Sequence, residues 1–195
     1  MTLTYQILSG AAVTAALDDL AALRIRVFGD WPYLYDGDLA YERDYVASYR
    51  DNPDAILVAA LSQGQVVGAA TGVPMEDHEE DFAAPFAATG IALTDIFYCA
   101  ESVLLPQFRG QGAGHHFFDA REAKARELGR TYAAFCAVMR PQDHPSRPAD
   151  YRPLDAFWRK RGYAPLDGVI AKFRWRDHGD HDQTEKPLQF WMKTL

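Results

Sequence analysis

Several features that would point directly to a function are scarce or missing in this sequence. No stretch approaches the roughly 18 consecutive apolar residues that a membrane span requires, so we expect no membrane insertion. The N-terminal stretch MTLTYQILSGAAV contains neither a basic leader nor a continuous apolar run with a small-residue cleavage site. These absences predict a cytoplasmic protein.

Cysteine and positive charge are also in short supply. The two cysteines, Cys99 and Cys136, each lie in a strand-like run, which favours reduced core thiols over a disulfide framework or a structural metal site. The 195 residues carry 20 Lys and Arg against 27 Asp and Glu, a formal charge of −7. This balance argues against nucleic acid as a partner and mildly favours cationic substrates such as amines. The His- and Asp-rich run Asp177–Asp182 matches no standard metal spacing, so we expect a solvated turn and no metal.

Hydrophobic periodicity predicts alternating helices and strands over residues 1–195, with no internal repeats or linkers, and hence a single domain. The predicted elements are a helix over Val13–Phe28, a second helix with tyrosines at 41, 45 and 49, a hairpin turning at Gln63 and Gly64, a strand over Asp95–Leu105, a helix over Gly112–Leu128, a strand over Thr131–Met139, a short helix over Leu154–Gly162, and strands over Val169–Arg176 and Leu188–Thr194. Hairpins at both ends and one strand–helix–strand crossover in the middle predict an α/β (α+β) fold with a mixed sheet.

A glycine-rich loop, LLPQFRGQGAG from Leu104 to Gly114, stands between the central strand and its helix. A P-loop needs Lys followed by Ser or Thr after its last glycine, and a dinucleotide fingerprint needs glycine where His115 stands, so neither pattern fits. Successive backbone N–H groups at a helix N-terminus nevertheless attract anions, and Arg109 adds a positive charge. A tight turn without a ligand remains the alternative.

The wider context resembles a known family. Arg109-x-x-Gly112-x-Gly114, placed after a strand and ahead of an amphipathic helix, resembles the signature of the GNAT superfamily of acetyltransferases. Downstream, LDAFWRKRGY resembles the later helix of that superfamily, which ends in an aromatic residue, a basic turn and glycine followed by an aromatic residue. The resemblance implies a GNAT-like splayed mixed β-sheet flanked by helices, with acetyl-CoA between two central parallel strands. The implied activity is direct attack of an amine on the thioester, with no covalent enzyme intermediate.

The resemblance also implies which residues hold the donor. The loop N–H groups would hold the CoA pyrophosphate, and the end of the preceding strand would pair with the pantetheine arm. Trp158 occupies the position at which many relatives have a tyrosine that protonates the leaving thiolate, and an indole N–H cannot serve as that acid. The residues assigned to donor binding are Leu104, Leu105, Arg109, Gly110, Gln111, Gly112, Ala113, Gly114 and Trp158.

Glu101, on the strand before the loop, is the candidate base because an ammonium group must lose a proton before it attacks. Strand alternation places Glu101 opposite to Tyr98 and Ala100, so a bulge near Leu104 would decide which side chain reaches the substrate. A structural pairing of Glu101 with an arginine remains an open alternative. Tyr98 and Tyr151 are the candidates for the missing acid.

The acceptor is expected to be a small amine or an amino-acid-like molecule. Tyr33 and Tyr35 precede the second helix and border the predicted pocket, while Arg147 and Arg152 lie in a proline-rich loop and would bind a carboxylate bidentately. Pairing of these arginines with nearby aspartates is equally open. Aromatic C-terminal strands suggest a homodimer. A second functional hypothesis, prompted by Trp158, is a non-catalytic GNAT-like domain that senses acyl-CoA.

Overall fold

The computed structural model describes residues 2–78 and 80–195, apart from the side chains of residues 80 and 81. The helices and strands in this part of the chain are β1 (Thr4–Leu8), α1 (Ala11–Phe28), α2 (Leu39–Asp51), β2 (Ile56–Ser62), β3 (Gln65–Pro74), α3 (Glu80–Ala83), β4 (Ile96–Leu104), α4 (Ala113–Glu127), β5 (Tyr132–Val138), α5 (Asp155–Lys160), β6 (Ala164–Trp175) and β7 (Thr184–Thr194). Each predicted element is present, and β1 is an addition. None of the described helices combines the length and apolar character that a membrane span requires.

The strands form one mixed sheet in the order β1-β2-β3-β4-β5-β7-β6. Every neighbouring pair is antiparallel except β4 and β5, which run parallel. Parallel pairing joins only residues 96–98 to residues 132–134, although both strands continue beyond those residues. The two central strands therefore separate toward their carboxyl ends, which confirms the predicted splayed mixed sheet.

A bulge in β4 determines which side chains face the site. Thr71 of β3 pairs with Glu101, whereas Val73 pairs with Tyr98, so β4 contains one more residue than β3 in this interval. An extra residue reverses the alternation of side chains beyond it. Glu101 is thereby brought to the same face as Tyr98. The sequence required a bulge for this outcome but placed it near Leu104, whereas the bulge lies between Tyr98 and Glu101.

The core occupies both faces of the sheet because alternate side chains of the central strands point in opposite directions. On one face, Phe97 and Cys99 of β4 pack with Phe117 and Phe118 of α4. On the other face, Ile96 and Tyr98 pack with Phe190 and with the segment that follows β3, and α1 and α2 cover β2 and β3. The gap between β4 and β5 lies at the centre of this arrangement.

Candidate active site

The glycine loop forms an open cradle at the end of β4. Gly110 and Gly112 have φ angles of 76° and 86°, a left-handed conformation that disfavours residues with a Cβ. A Cβ atom built at either position would meet nothing within 4 Å, so the backbone is open to an incoming group. Gly112 is the N-cap of α4 and supplies no side-chain hydrogen bond to the helix. A ligand can therefore reach the helix N-terminus directly.

The loop N–H groups are available for binding. Among the described residues, no acceptor lies within hydrogen-bond distance of the N–H groups from Gly110 to Gly114. The N–H of Arg109 differs, because it donates to Pro106 O at 3.1 Å. Convergent N–H groups at the positive end of a 15-residue helix form an anion site. This cradle fits the pyrophosphate of a CoA molecule.

Leu104, the last residue of β4, and Leu105, which follows it, direct their backbone N–H groups to opposite sides. Leu105 donates its N–H to Val67 O of β3 at 3.0 Å. Because backbone N–H groups alternate along a strand, the N–H of Leu104 faces the opposite edge, toward β5. Its carbonyl lies on that side too and is 3.4 Å from Nε of Arg109. Of the two leucines expected to pair with a pantetheine arm, Leu104 has its backbone groups toward the gap.

Gly114 and Trp158 have packing roles. A Cβ at Gly114 would lie 3.1 Å from Cζ of Phe157, so the missing side chain allows α5 to approach α4 closely. Trp158 packs against Phe135 and Trp191, with ring centroids 5.0 and 5.2 Å apart. Glycine at position 114 is therefore explained by helix packing, while its N–H remains part of the cradle.

A cavity of about 660 Å³ opens beside the gap, on the face opposite to α4. Tyr98, Ala100 and Glu101 of β4 and Cys136 of β5 line it, so it meets the two strands where they separate. The remaining lining comes from α1, α2 and the loop between them, from the segment after β3, and from β6, β7 and the hairpin that joins them. Aromatic residues provide much of the wall: Phe28, Tyr33, Tyr35, Tyr41, Tyr45, Phe82, Tyr98, Phe173 and Trp175.

Glu101 shares a buried arginine with a second carboxylate. Arg24 of α1 forms ion pairs with Glu101 and with Glu42 of α2, and its guanidinium lies 4.0 Å from the ring centroid of Tyr45. The side chains of all three charged residues are at most 9% exposed. Glu101 therefore both faces the cavity and pairs with an arginine, which unites the two alternatives left open by the sequence. One positive charge between two carboxylates leaves this buried cluster anionic.

Tyr98 and Cys136 hold their protons at neutral pH. The Tyr98 hydroxyl lies 3.1 Å from Cys136 Sγ across the gap between the strands. Burial raises the pKa of Tyr98 well above its ordinary value and raises the pKa of Cys136 to about 12. Tyr98 is thus a neutral hydrogen-bond donor in the cavity, and Cys136 is a protonated thiol that is poorly suited to nucleophilic attack.

His78 is a cavity residue that sequence reasoning missed. Its ring lies 5.0 Å from the Phe82 ring and 4.7 Å from the Tyr98 ring. Burial lowers the pKa of His78 to about 4, so the imidazole is neutral at pH 7. It stands alone in the acidic segment EDHEED, where no spacing marks it as functional.

The loop that carries Tyr33 and Tyr35 is held against the cavity by a clamp. Arg140, just after β5, donates to the carbonyls of Pro32 and Tyr33 at 2.8 and 2.6 Å and pairs with both oxygens of Asp177. Trp175 Nε1 also donates to Tyr33 O, at 3.0 Å. Tyr33 and Tyr35 line the cavity as the sequence suggested. The clamp residues lie far apart in the sequence and carried no recognisable signal.

Three predicted residues do not line the cavity: Tyr151, Arg147 and Arg152. Tyr151 packs edge-on against Trp31, with ring centroids 5.9 Å apart, and the Arg147 guanidinium lies over Tyr151. Arg147 donates to Gln142 O at 3.3 Å. In the described part of the chain, neither arginine forms an ion pair with an aspartate of this loop. Tyr151 and Arg147 therefore contact residues outside the cavity, and Arg152 is exposed.

Arg121 of α4 connects the cradle helix to the β4 bulge, and nothing in the helical pattern singled it out. Its buried guanidinium donates to the carbonyls of Thr71 and Glu101 at 3.3 and 2.7 Å and to Ser102 Oγ at 2.9 Å. The bulge interrupts regular pairing between β3 and β4, and Arg121 supplies donors to the carbonyls found there.

The described residues include no group of three or more His, Cys, Asp or Glu side chains placed to hold a metal ion.

The sequence profile described as the acetyltransferase (GNAT) family matches residues 18–163. The fold is similar to ribosomal-protein-alanine N-acetyltransferase from Brucella melitensis, with a TM-score of 0.64 and 17% identity over 100% of both chains. It is also similar to an aminoglycoside 6'-N-acetyltransferase complexed with coenzyme A, with a TM-score of 0.60 and 18% identity over 100% of this chain and 97% of that one. The fold is similar as well to yncA of Salmonella typhimurium, solved with its cofactor acetyl-CoA, with a TM-score of 0.59 and 12% identity over 100% of this chain and 95% of that one. No curated protein sequence matches.

Proposed function

The chain belongs to the GNAT family of acetyltransferases, and from that premise we propose that it transfers the acetyl group of acetyl-CoA to the nitrogen of a small primary amine. The observation that carries the proposal is the position of the cavity. It is lined by both separating strands, and the strand that presents Glu101 to it continues directly into the N–H cradle. Donor and acceptor sites therefore meet at one gap.

The donor site is formed by backbone groups. The N–H groups of Gly110 to Gly114 would hold the pyrophosphate, and Arg109 adds charge at the rim. Leu104 offers its N–H to the gap, where it would polarise the thioester carbonyl. When bound, acetyl-CoA supplies the activated acetyl group and a thiolate leaving group.

The cavity side chains would manage the proton. Glu101 faces the cavity and accepts the proton that the acceptor nitrogen must lose, directly or through water. Tyr98 retains its proton and donates a hydrogen bond toward the leaving sulfur. Direct transfer fits the high pKa of Cys136, which disfavours an acetyl-cysteine intermediate.

Two measurements on the same preparations test this proposal. The first is thermal unfolding with and without acetyl-CoA, with ATP and NAD as controls. Ligand at 100 times its Kd stabilises the folded state by about 2.7 kcal/mol. The second is release of the CoA thiol in the presence of a panel of primary amines. We expect stabilisation by acetyl-CoA alone and thiol release that depends on the amine.

A matched pair of variants assigns the binding to the cradle. Gly112→Asp places a carboxylate beside the loop N–H groups, whereas Gly129→Asp makes the same strained substitution beyond the other end of α4, at φ 70° and with nothing within 4 Å of the new Cβ. Only Gly112→Asp should abolish the response to acetyl-CoA. Binding without thiol release for any amine would favour acyl-CoA sensing, and absence of binding would refute the proposal.

A further inference from the structure

The charges that line the cavity are predominantly negative. Five carboxylates face it: Asp36, Asp38, Glu42, Glu101 and Asp182. Three arginines oppose them: Arg24, Arg174 and Arg176. His78 adds no positive charge, because burial lowers the pKa of its imidazole to about 4. The lining is therefore anionic at neutral pH, and its innermost charges belong to the cluster of Arg24, Glu42 and Glu101.

Glu42 is a fully buried carboxylate at the cavity wall. Its side chain is 0% exposed, and one oxygen pairs with Arg24. Burial, followed by the charge of Glu42 and a hydrogen bond to it, raises the pKa of Tyr35, so the neutral Tyr35 phenol is a second partner of this carboxylate. Glu42 and Glu101 therefore share the single positive charge of Arg24, and a bound cation would add a second one.

The arginines of the cavity are poorly placed to bind an anion. Arg24 is engaged by the two glutamates, and Arg176 pairs with Asp36 at 2.5 Å. Arg174 is exposed at the rim and donates to Gln183 O at 2.9 Å. An acceptor with a carboxylate would therefore find few positive partners deep in the cavity and would face Glu42 and Glu101 instead.

The walls suit an aromatic body with a cationic end. Tyr33, Tyr98 and Trp175 contribute ring surfaces. Elsewhere in the wall, Arg24 lies over the Tyr45 ring, which is a cation–π contact of the kind that an ammonium group can also form. Burial raises the pKa of Tyr33 and of Tyr35, so their phenols remain neutral. Apolar ring faces and a negatively charged interior occur in one cavity.

We infer that the acceptor is an arylalkylamine without a carboxylate, bound as its ammonium ion with the nitrogen among Glu42, Glu101 and the tyrosine rings. The inference rests on the proposed function and narrows its acceptor class. It also replaces the amino-acid-like acceptor suggested by Arg147 and Arg152, which do not line the cavity.

Equilibrium binding tests the inference independently of turnover. Three ligands share one phenyl body: 2-phenylethylamine is a cation, 2-phenylethanol is neutral and phenylalanine carries an added carboxylate. Each is titrated calorimetrically into the protein saturated with coenzyme A. We expect 2-phenylethylamine to bind at least about tenfold more tightly than either of the others, which corresponds to about 1.4 kcal/mol. Equal binding, preference for phenylalanine, or no binding of the amine would overturn the inference.

Glu42→Gln removes the negative charge of this carboxylate while keeping the side-chain shape. The variant should lose most of the preference for 2-phenylethylamine over 2-phenylethanol and raise the KM for the amine, with the Kd of acetyl-CoA unchanged. Glu185→Gln, an exposed substitution on β7, is the matched control. If Glu42→Gln does not fold, the three-ligand comparison on the native protein still decides. Failure of the proposed function would differ, because acetyl-CoA would then neither bind nor release its thiol with any amine.

Discussion

The cradle and the cavity offer different kinds of groups to the ligands proposed for them. The cradle consists of consecutive backbone N–H groups from Gly110 to Gly114, exposed at one helix end and dependent on two left-handed glycines. The cavity consists of side chains from separate helices and strands, many of them buried and charged. A backbone site tolerates most changes in neighbouring side chains, whereas a side-chain site changes with each of them. Substitutions in side chains can therefore change the acceptor specificity of such a chain without changing its donor.

Glu101→Gln should give the largest difference between an effect on catalysis at the cavity and an effect on acetyl-CoA binding at the cradle. Loss of the base should lower kcat by at least about 100-fold, within the range for general-base catalysis. The Kd of acetyl-CoA should be unchanged, because the cradle uses no side chain of β4. Steady-state kinetics and calorimetry measure the two quantities, with the exposed Glu127→Gln as control. A loss smaller than about threefold would mean that Glu101 serves only to pair Arg24.

Asp177→Asn should loosen the acceptor side through the clamp. Removing one partner of this largely buried ion pair should lower the free energy of unfolding by about 3 kcal/mol. The carbonyls of Pro32 and Tyr33 then lose a fixed Arg140, so the KM for the amine should rise more than the Kd of acetyl-CoA. Denaturant unfolding and kinetics check both effects. Equal changes in both constants would contradict a role confined to the cavity.

The stability that Asp177 contributes should depend on pH. Burial alone would raise the pKa of Asp177, but hydrogen bonds and charge from Arg140 and Lys186 outweigh it and lower the pKa below the ordinary 3.8. The stabilisation is therefore complete above about pH 5, well above the unfolded pKa, and is lost as the pH falls through the lowered folded value. The difference in stability between native protein and Asp177→Asn should be constant from pH 7 to about 5 and shrink below about 4. A difference that grows on acidification would refute this assignment.

Gly110→Ala probes the cradle at a smaller scale. Because residue 110 has a φ of 76°, adding a Cβ there should lower the free energy of unfolding by about 1 kcal/mol. Gly129→Ala, at φ 70°, should cost a similar amount. Only Gly110→Ala should also weaken acetyl-CoA binding, by roughly tenfold or less, because its new methyl group occupies the ligand side. Equal affinities in the two variants would show that this part of the loop is a plain turn.

The smallest effect is expected at the proline-rich loop. Arg152→Ala, at an exposed position, should change stability by less than about 0.5 kcal/mol, and the half-buried Arg147 should lose slightly more on substitution because it contacts Tyr151. Both variants should change kcat/KM by less than about twofold, because neither residue lines the cavity. Kinetics with the best amine of the panel test this directly. A tenfold loss in either variant would move the acceptor site toward this loop.

The difference between the regions also explains what the sequence could predict. Glycine positions, the apolar face of α4 and strand alternation are local signals, so the mixed sheet and the cradle were predictable from short segments. The edge strand β1 was missed because its five residues alternate only weakly between buried and exposed positions. The single-domain organisation and a homodimer remain predictions.

The cavity depended on long-range contacts that no local pattern reveals. Arg24, Glu42 and Glu101 come from three elements, and only the β4 bulge turns Glu101 toward the other two. Arg140 follows β5 and Asp177 follows β6, and these two strands are brought near each other because β7 pairs with both. Conversely, Arg147 and Arg152 had suitable chemistry for a carboxylate, but the loop that carries them does not enter the cavity.

The early end of parallel pairing has a consequence for the solution behaviour of the chain. Beyond Tyr98 and Ala134, the facing edges of β4 and β5 have no strand between them, so the sheet contains two free edges inside the molecule. Free strand edges are templates for pairing with other chains. A pantetheine arm bound in the gap, as proposed above, would occupy these edges, so we expect the amide of Leu104 to exchange with deuterium more slowly when acetyl-CoA is present. We expect acetyl-CoA to stabilise the folded chain and to reduce its aggregation, in addition to serving as a reactant.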